Sequence, residues 1–154
     1  VAAGAGANIA LACDIVVAAR SAKFIQSFSA LGLIPDSGGS WHLPRLVGQA
    51  RALGLALTGE PLPADKAAEW GLIWKAVEDD TLDTEVDALA TKLASLPPLG
   101  LAAIKNIVRT SWQRTLDQEL DMQRDEMRRL GFTEDYREGV AAFLEKRPAT
   151  FHGR

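Results

Sequence analysis

One carboxylate in this chain stands where a proton can be taken up and given back. Asp36 lies in Gly32-Leu33-Ile34-Pro35-Asp36-Ser37-Gly38-Gly39, after a proline that fixes φ and before two glycines that admit backbone conformations closed to other residues. Its apolar neighbours put it beside low-polarity surface, a setting in which an Asp can do acid–base chemistry. The bland alternative is an N-cap. Trp41 to Val47 reads as the first turns of a helix, and an Asp ahead of a helix often accepts a free backbone N–H. A second chemical feature precedes the first. Gly4-Ala5-Gly6 is spaced for a tight turn that lets backbone approach a ligand, and it feeds a run of helix formers from Ala7 to Cys13 with Ile9 and Cys13 on one face. Free N–H groups at such a helix start suit an anion or a developing oxyanion. The two glycines also open like a dinucleotide fingerprint. Ile9 stands at the third glycine position, however, and no acidic residue follows about 20 positions on, so a nucleotide is a poor fit.

Other polar and aromatic residues have plainer readings. Asn8 can hydrogen-bond a substrate or a water without titrating, or simply pack on a helix face. His42 lacks a paired nucleophile and is read as a surface or helix-packing residue. Nothing basic flanks Cys13, which is read as a small core residue. Trp70 and Trp74 are read as packing, and Lys146 with Arg147 as a solvated pair.

The elements that must hold these residues follow from periodicity. Asp14 to Ala19 and Lys23 to Ile25 read as short strands, then Ser40 to Thr58 as a helix that Gly48 and Gly54 break or bend. Gly59 to Pro63 reads as a loop, Ala64 to Trp70 as a short helix stopped by Gly71, and Leu72 to Val77 as a strand ended by Glu78-Asp79-Asp80. The second half is helical. Leu82, Val86, Leu89, Leu93 and Leu96 mark one face, stopped by Pro97-Pro98; Leu101, Ile104, Val108 and Trp112 mark the next; Leu116, Leu120 and Met127 a third; and Thr133 starts a fourth that carries Val140, Phe143 and Leu144.

With 154 residues the chain is long enough for one domain with a core, and its 47% apolar and 24% charged content is that of a globular protein. A net charge of −3 without a basic run argues against nucleic acid or an anionic membrane as partner. A single cysteine, Cys13, points to a reducing compartment and a cytoplasmic protein. The chain starts abruptly in apolar sequence with no initiating Met and no basic leader, so it is expected to be a piece of a larger fold.

Three segments in order resemble the crotonase, or enoyl-CoA hydratase/isomerase, superfamily. Val1 to Ile15 is similar to its glycine turn and helix followed by a Cys-Asp-Ile strand. Phe24 to Gly39 is similar to the segment ending in its Ile-Pro-x-x-Gly-Gly turn, and Tyr136 to Arg147 to its C-terminal signature. The resemblance implies an α/β fold: a ClpP-like spiral of ββα units of which residues 1–80 are the C-terminal part, then a helical region, residues 81–154, for packing and trimerisation. The N-terminal part of the family domain is expected to be absent. Trimeric discs, often paired as hexamers, with subunit contacts from about Leu99 onward, are the implied assembly. Gly32 to Gly39, Ala50 to Leu57 and Glu69 to Trp74 resemble most closely the branch that isomerises a ring epoxide on a CoA thioester.

Site residues carry over position by position. The glutamate pair of the family's hydratases falls on Asn8 and Phe28, neither of which is an acid or base, so hydration by that pair is not expected. A remaining hydratase reading has Asn8 hold the water. Asp36 matches the carboxylate of members that shuttle a proton along a CoA-thioester chain, and the N–H of Ala5 matches one oxyanion donor; the second would lie upstream of Val1. Each such donor typically lowers a barrier by about 3–4 kcal/mol. Gly4, Gly6, Phe28, Leu31, Pro35 and Gly39 are implied as substrate contacts, and Lys146 as a partner of the CoA phosphates. No metal and no redox cofactor is implied, coenzyme A being part of the substrate. The rival from another class is a non-catalytic fragment with an assembly role only.

Overall fold

The computed structural model describes residues Val1–Arg154. In chain order it places β1 (Ala2–Ala3), α1 (Ala5–Leu11), β2 (Val17–Ala19), β3 (Lys23–Ile25), α2 (Gly39–Thr58), β4 (Leu62–Pro63), α3 (Ala64–Glu69) and β5 (Lys75–Val77). Four helices follow: α4 (Leu82–Ala94), α5 (Pro98–Thr110), α6 (Leu116–Leu130) and α7 (Glu134–Glu145). Two units result, Val1–Asp87 and Ala88–Arg154, with the division inside α4.

In the first unit the strands form two small sheets. β1 runs parallel to β3 with Ala2 opposite Phe24, β4 runs antiparallel to β3 with Leu62 opposite Phe24, and β2 runs parallel to β5 with Ala18 opposite Ala76. Parallel neighbours require crossovers, which here carry α1 for β1 to β3 and α2 with α3 for β2 to β5. The core gathers Ala7 and Leu11 of α1, Leu43, Val47 and Leu55 of α2, and Phe24 of β3. Leu43 is 2% exposed, and burying a side chain of that size contributes about 1.5–3 kcal/mol.

Both strands of the second sheet are shorter than their apolar runs. β2 omits Asp14, Ile15 and Val16, and β5 omits Leu72, Ile73 and Trp74. Leu72 and Ile73 fold back on the end of α3, both N–H groups donating to the Ala67 carbonyl at 2.9 and 3.4 Å, and are buried there. An apolar run registers burial and does not by itself register extension. Pro63, expected in a loop, pairs with Lys23 at the sheet edge, where a residue without an N–H is tolerated. Of the two glycines expected to interrupt α2, Gly48 does so with φ 77° and ψ 163°, whereas Gly54 stays helical.

The second unit is held mainly by polar devices. Thr115 caps α6 in a capping box with Gln118, and Thr133 caps α7 by accepting from Tyr136 N–H at 3.1 Å. Arg114 donates to Glu119 at 2.6 Å, to Thr110 Oγ1 at 2.7 Å and to the Ile107 carbonyl at 3.1 Å, joining the end of α5 to the start of α6. The tail after α7 returns along that helix: the buried Asp135 carboxylate accepts from His152 N–H at 2.7 Å and Gly153 N–H at 2.8 Å, and Glu138 accepts from Arg147. The apolar stripes expected on these helices are largely uncovered within the chain. Ile104, Val108, Trp112, Met127 and Phe143 are exposed, Phe143 by 84%. No helix is long and apolar enough to cross a membrane.

Candidate active site

Gly4 starts the site. Its φ of 52° with ψ of −127° is glycine territory, and its N–H donates to the Ile25 carbonyl at 2.8 Å, so β3 fixes the turn. Helix α1 therefore begins at Ala5, two residues earlier than its run of helix formers suggests. The Ala5 N–H has no partner within the chain, as expected of the first residue of a helix. Phe28 is buried with its ring edge 3.7 Å from where a Cβ at Gly4 would stand, so it packs under the turn. Gly6 differs from Gly4: it is helical and exposed, with open space where a side chain would go, so no close approach of backbone requires a glycine there.

The Asp36 turn is built by backbone. Gly39 N–H donates to the Asp36 carbonyl at 2.7 Å across Ser37 (φ 47°) and Gly38 (φ 81°), two positive φ values in a row as in a type I′ turn. Ser37 in that region is a non-glycine residue under strain, next to the carboxylate of interest. The cap reading of Asp36 is corrected. Gly38 is the N-cap of α2, no side chain caps that helix, and the Asp36 carboxylate is exposed with no hydrogen-bond partner in the chain. Around it Leu31, Leu33 and Ile34 are exposed and Pro35 is half-buried, giving a carboxylate with apolar surface at its side.

Asn8 joins the two turns. One helical turn beyond Gly4, it is 0% exposed, donates from Nδ2 to the Asp36 carbonyl at 3.0 Å and accepts at Oδ1 from Gln26 Nε2 at 2.8 Å. A Cβ on Gly39 would lie 2.2 Å from Asn8 Nδ2, so the second glycine is there to admit this side chain. Asn8 as a direct contact of substrate or of a water is thereby corrected: its side chain is enclosed and engaged on both polar atoms. In sequence Gln26 reads only as the start of a loop, Gln26 to Leu31, that lines the acyl pocket, and its contact with Asn8 is new. Its signal is the period-2 alternation that β3 begins at Phe24 and that, carried one residue past the strand's end, buries residue 26 as it buries Phe24.

The remaining candidates separate cleanly. His42 is half-buried, edge-on to the Trp41 ring with centroids 5.0 Å apart, and packs beside Gly38. Cys13, expected in the core, is exposed just past the end of α1, and Trp74, expected to pack, is exposed too. Trp70 does pack, partly buried against the core with Arg51 over its ring at 4.8 Å. Lys146 and Arg147 are not an equivalent pair. Arg147 is engaged by Glu138 and Glu145, while Lys146 is exposed at the C-cap of α7 with φ 54°. No group of three or more His, Cys, Asp or Glu side chains is arranged to hold a metal ion.

The site thus sets a glycine turn with a free N–H beside a second turn that carries an unpartnered carboxylate, the buried Asn8 amide bonding the backbone of the second. The model of the enoyl-CoA hydratase/isomerase family covers residues 1–154. The chain belongs to that family. Among its relatives, 1,2-epoxyphenylacetyl-CoA isomerase of Escherichia coli (strain K12) is 55% identical over 154 residues, which is 100% of this chain and 59% of that protein. Trans-2-decenoyl-[acyl-carrier-protein] isomerase of Streptococcus mutans is 42% identical across 99% of this chain and 58% of its own length. The crystal structure of an enoyl-CoA hydratase from Polaromonas sp. JS666 superposes with a TM-score of 0.94 at 40% identity, over 98% of this chain and 59% of that one. The fold is thus the α/β crotonase fold, and the chain spans less than two thirds of the length of these family members.

Proposed function

We propose that the intact protein is a CoA-thioester isomerase in which Asp36 carries the proton, and that its substrate is 2-(1,2-epoxy-1,2-dihydrophenyl)acetyl-CoA. The observation that carries this reading is the single exposed carboxylate of the site, Asp36, whose backbone carbonyl is held by Asn8 of the same helix that begins with the free N–H of Ala5. Removing a proton from carbon next to a thioester leaves charge on the thioester oxygen, and Ala5 N–H is the donor this chain offers to it. With Asn8 enclosed and Phe28 apolar, Asp36 takes the proton and also returns it, which is isomerisation. The E. coli epoxide isomerase at 55% identity favours that acyl group over a Δ3,Δ2-enoyl chain, which the same carboxylate would serve.

In this reading Gly4, Phe28, Leu31, Pro35 and Gly39 shape the acyl end of the pocket, and Lys146 meets the CoA phosphates of its own or a neighbouring subunit. The cofactor requirement is none beyond the substrate's own CoA. The exposed stripe of Ile104, Val108 and Trp112 supports association with further copies of the chain, which this reading takes as a trimer or hexamer; the single cysteine is the support for a cytoplasmic setting. The test is deuterium incorporation from D₂O into the ring-epoxide thioester and into unsaturated acyl-CoAs by intact protein. Asp36→Asn should lower exchange by about 10²-fold or more, the usual contribution of a general base. Exchange at the wild-type rate in that variant sinks the assignment, and preference for straight enoyl chains transfers it to the Δ3,Δ2 reaction.

A further inference from the structure

We infer that Gln26 is a positioning residue for the proton shuttle, acting through Asn8; this rests on the Asp36 reading above. The Asp36 carboxylate makes no hydrogen bond of its own, so its place is set by its backbone, and the Asp36 carbonyl has two anchors, Gly39 N–H at 2.7 Å and Asn8 Nδ2 at 3.0 Å. An asparagine amide can flip, exchanging Nδ2 for Oδ1 with little change in shape, and only the orientation with Nδ2 toward Asp36 holds the turn. The Asp36 carbonyl, which can only accept, calls for Nδ2 on its side, and Gln26 Nε2, donating to Oδ1 at 2.8 Å, braces the amide in that orientation from the other end. The other end of the Gln26 amide shows its cost. Oε1 is buried with no partner in the chain, an arrangement that stability alone does not favour. A buried, half-satisfied glutamine is thus kept where an apolar residue would avoid the orphan, and what it supplies is direction to Asn8.

This separates positioning from structure. In Gln26→Met the orphan acceptor disappears from residue 26 and reappears at Asn8 Oδ1, so the number of unpartnered buried oxygens is unchanged, while the amide loses its orienting donor. The experiment uses intact protein and the D₂O exchange assay, with Gln26→Met and the shortened amide Gln26→Asn. Expected in both are a kcat at least about tenfold lower and KM within about twofold, since a displacement approaching 1 Å at a reacting group can cost on the order of 10²-fold; Tm should change little in Gln26→Met and fall in Gln26→Asn, whose shortened amide leaves further buried polar atoms unpartnered. Unchanged kcat in either folded variant, or KM rising in step with the loss, overturns the inference. Asp36→Asn is run beside them. Should it exchange like wild type, the functional reading fails by itself, and the brace is judged by amide hydrogen exchange at Gly39: faster exchange in Gln26→Met upholds it and an unchanged rate refutes it.

Discussion

Gly39→Ala is a one-methyl change whose consequence can be worked from the site. The new Cβ would meet Asn8 at 2.2 Å from Nδ2, 2.5 Å from Cγ and 2.7 Å from Oδ1, all atoms of a side chain with no exposed surface to retreat to. Either α2 moves or Asn8 abandons Asp36 and Gln26. Overpacking of this kind costs about 1–3 kcal/mol. Leaving buried polar partners without their hydrogen bonds adds about 1–3 kcal/mol, while alanine for glycine in a helix returns up to about 1 kcal/mol. The net loss is roughly 1–5 kcal/mol, about 3 kcal/mol at the middle of each range, which for a protein of this size is a fall in Tm of about 6–12 °C. In an Asn8→Ala background the three clashing atoms are gone, so the same substitution should cost almost nothing. Urea unfolding of wild type, both single variants and the double variant measures the coupling, expected at about 2 kcal/mol or more against the roughly 0.5 kcal/mol within which independent sites add. If Gly39→Ala costs the same with and without Asn8, the steric account of the second glycine is wrong.

Gly4→Ala forces a side chain into φ 52°, ψ −127° and should cost about 1–3 kcal/mol; because the turn aims Ala5 N–H, kcat should fall more than KM rises, and steady-state kinetics of intact protein checks this. Glu138 is held at about 2, below its ordinary 4.5, first by its hydrogen bonds from Arg147 and then by the Thr150 N–H. A depressed carboxylate stabilises the folded state above its unfolded value and loses that contribution as pH falls through the folded one. The return of the tail onto α7 should therefore loosen between pH 4.5 and about 2. The protection factor of the Thr150 amide, its rate taken relative to an unstructured amide at the same pH, should fall over that window in wild type, and in Glu138→Gln it should be low already at pH 6.

What could be read from sequence and what could not divide along a physical line. The tight turn after Pro35, the Gly4 turn and the Thr133 cap were legible because each rests on local rules: proline and glycine constraints, or a side chain reaching its own helix start. The Asp36 cap failed because Ser37 and Gly38 take positive φ and rotate the carboxylate away from α2, a choice that the Asn8 contact 28 residues earlier helps to enforce. The strand ends failed for a similar reason, since Leu72 and Ile73 are apolar for the sake of burial against α3 and not of pairing. Cys13 and Trp74 were misplaced because residue type sets only an average tendency to be buried, which the two chain turns that carry them override. Gln26 was the residue hardest to see and the one with most to say. A buried polar side chain just past a strand's end is a cost unless something needs its hydrogen bond. Period-2 alternation from Phe24 already marked it as inward, so the question to ask of such a residue in sequence is which partner it orients, and here the geometry answers with Asn8 and, through it, Asp36.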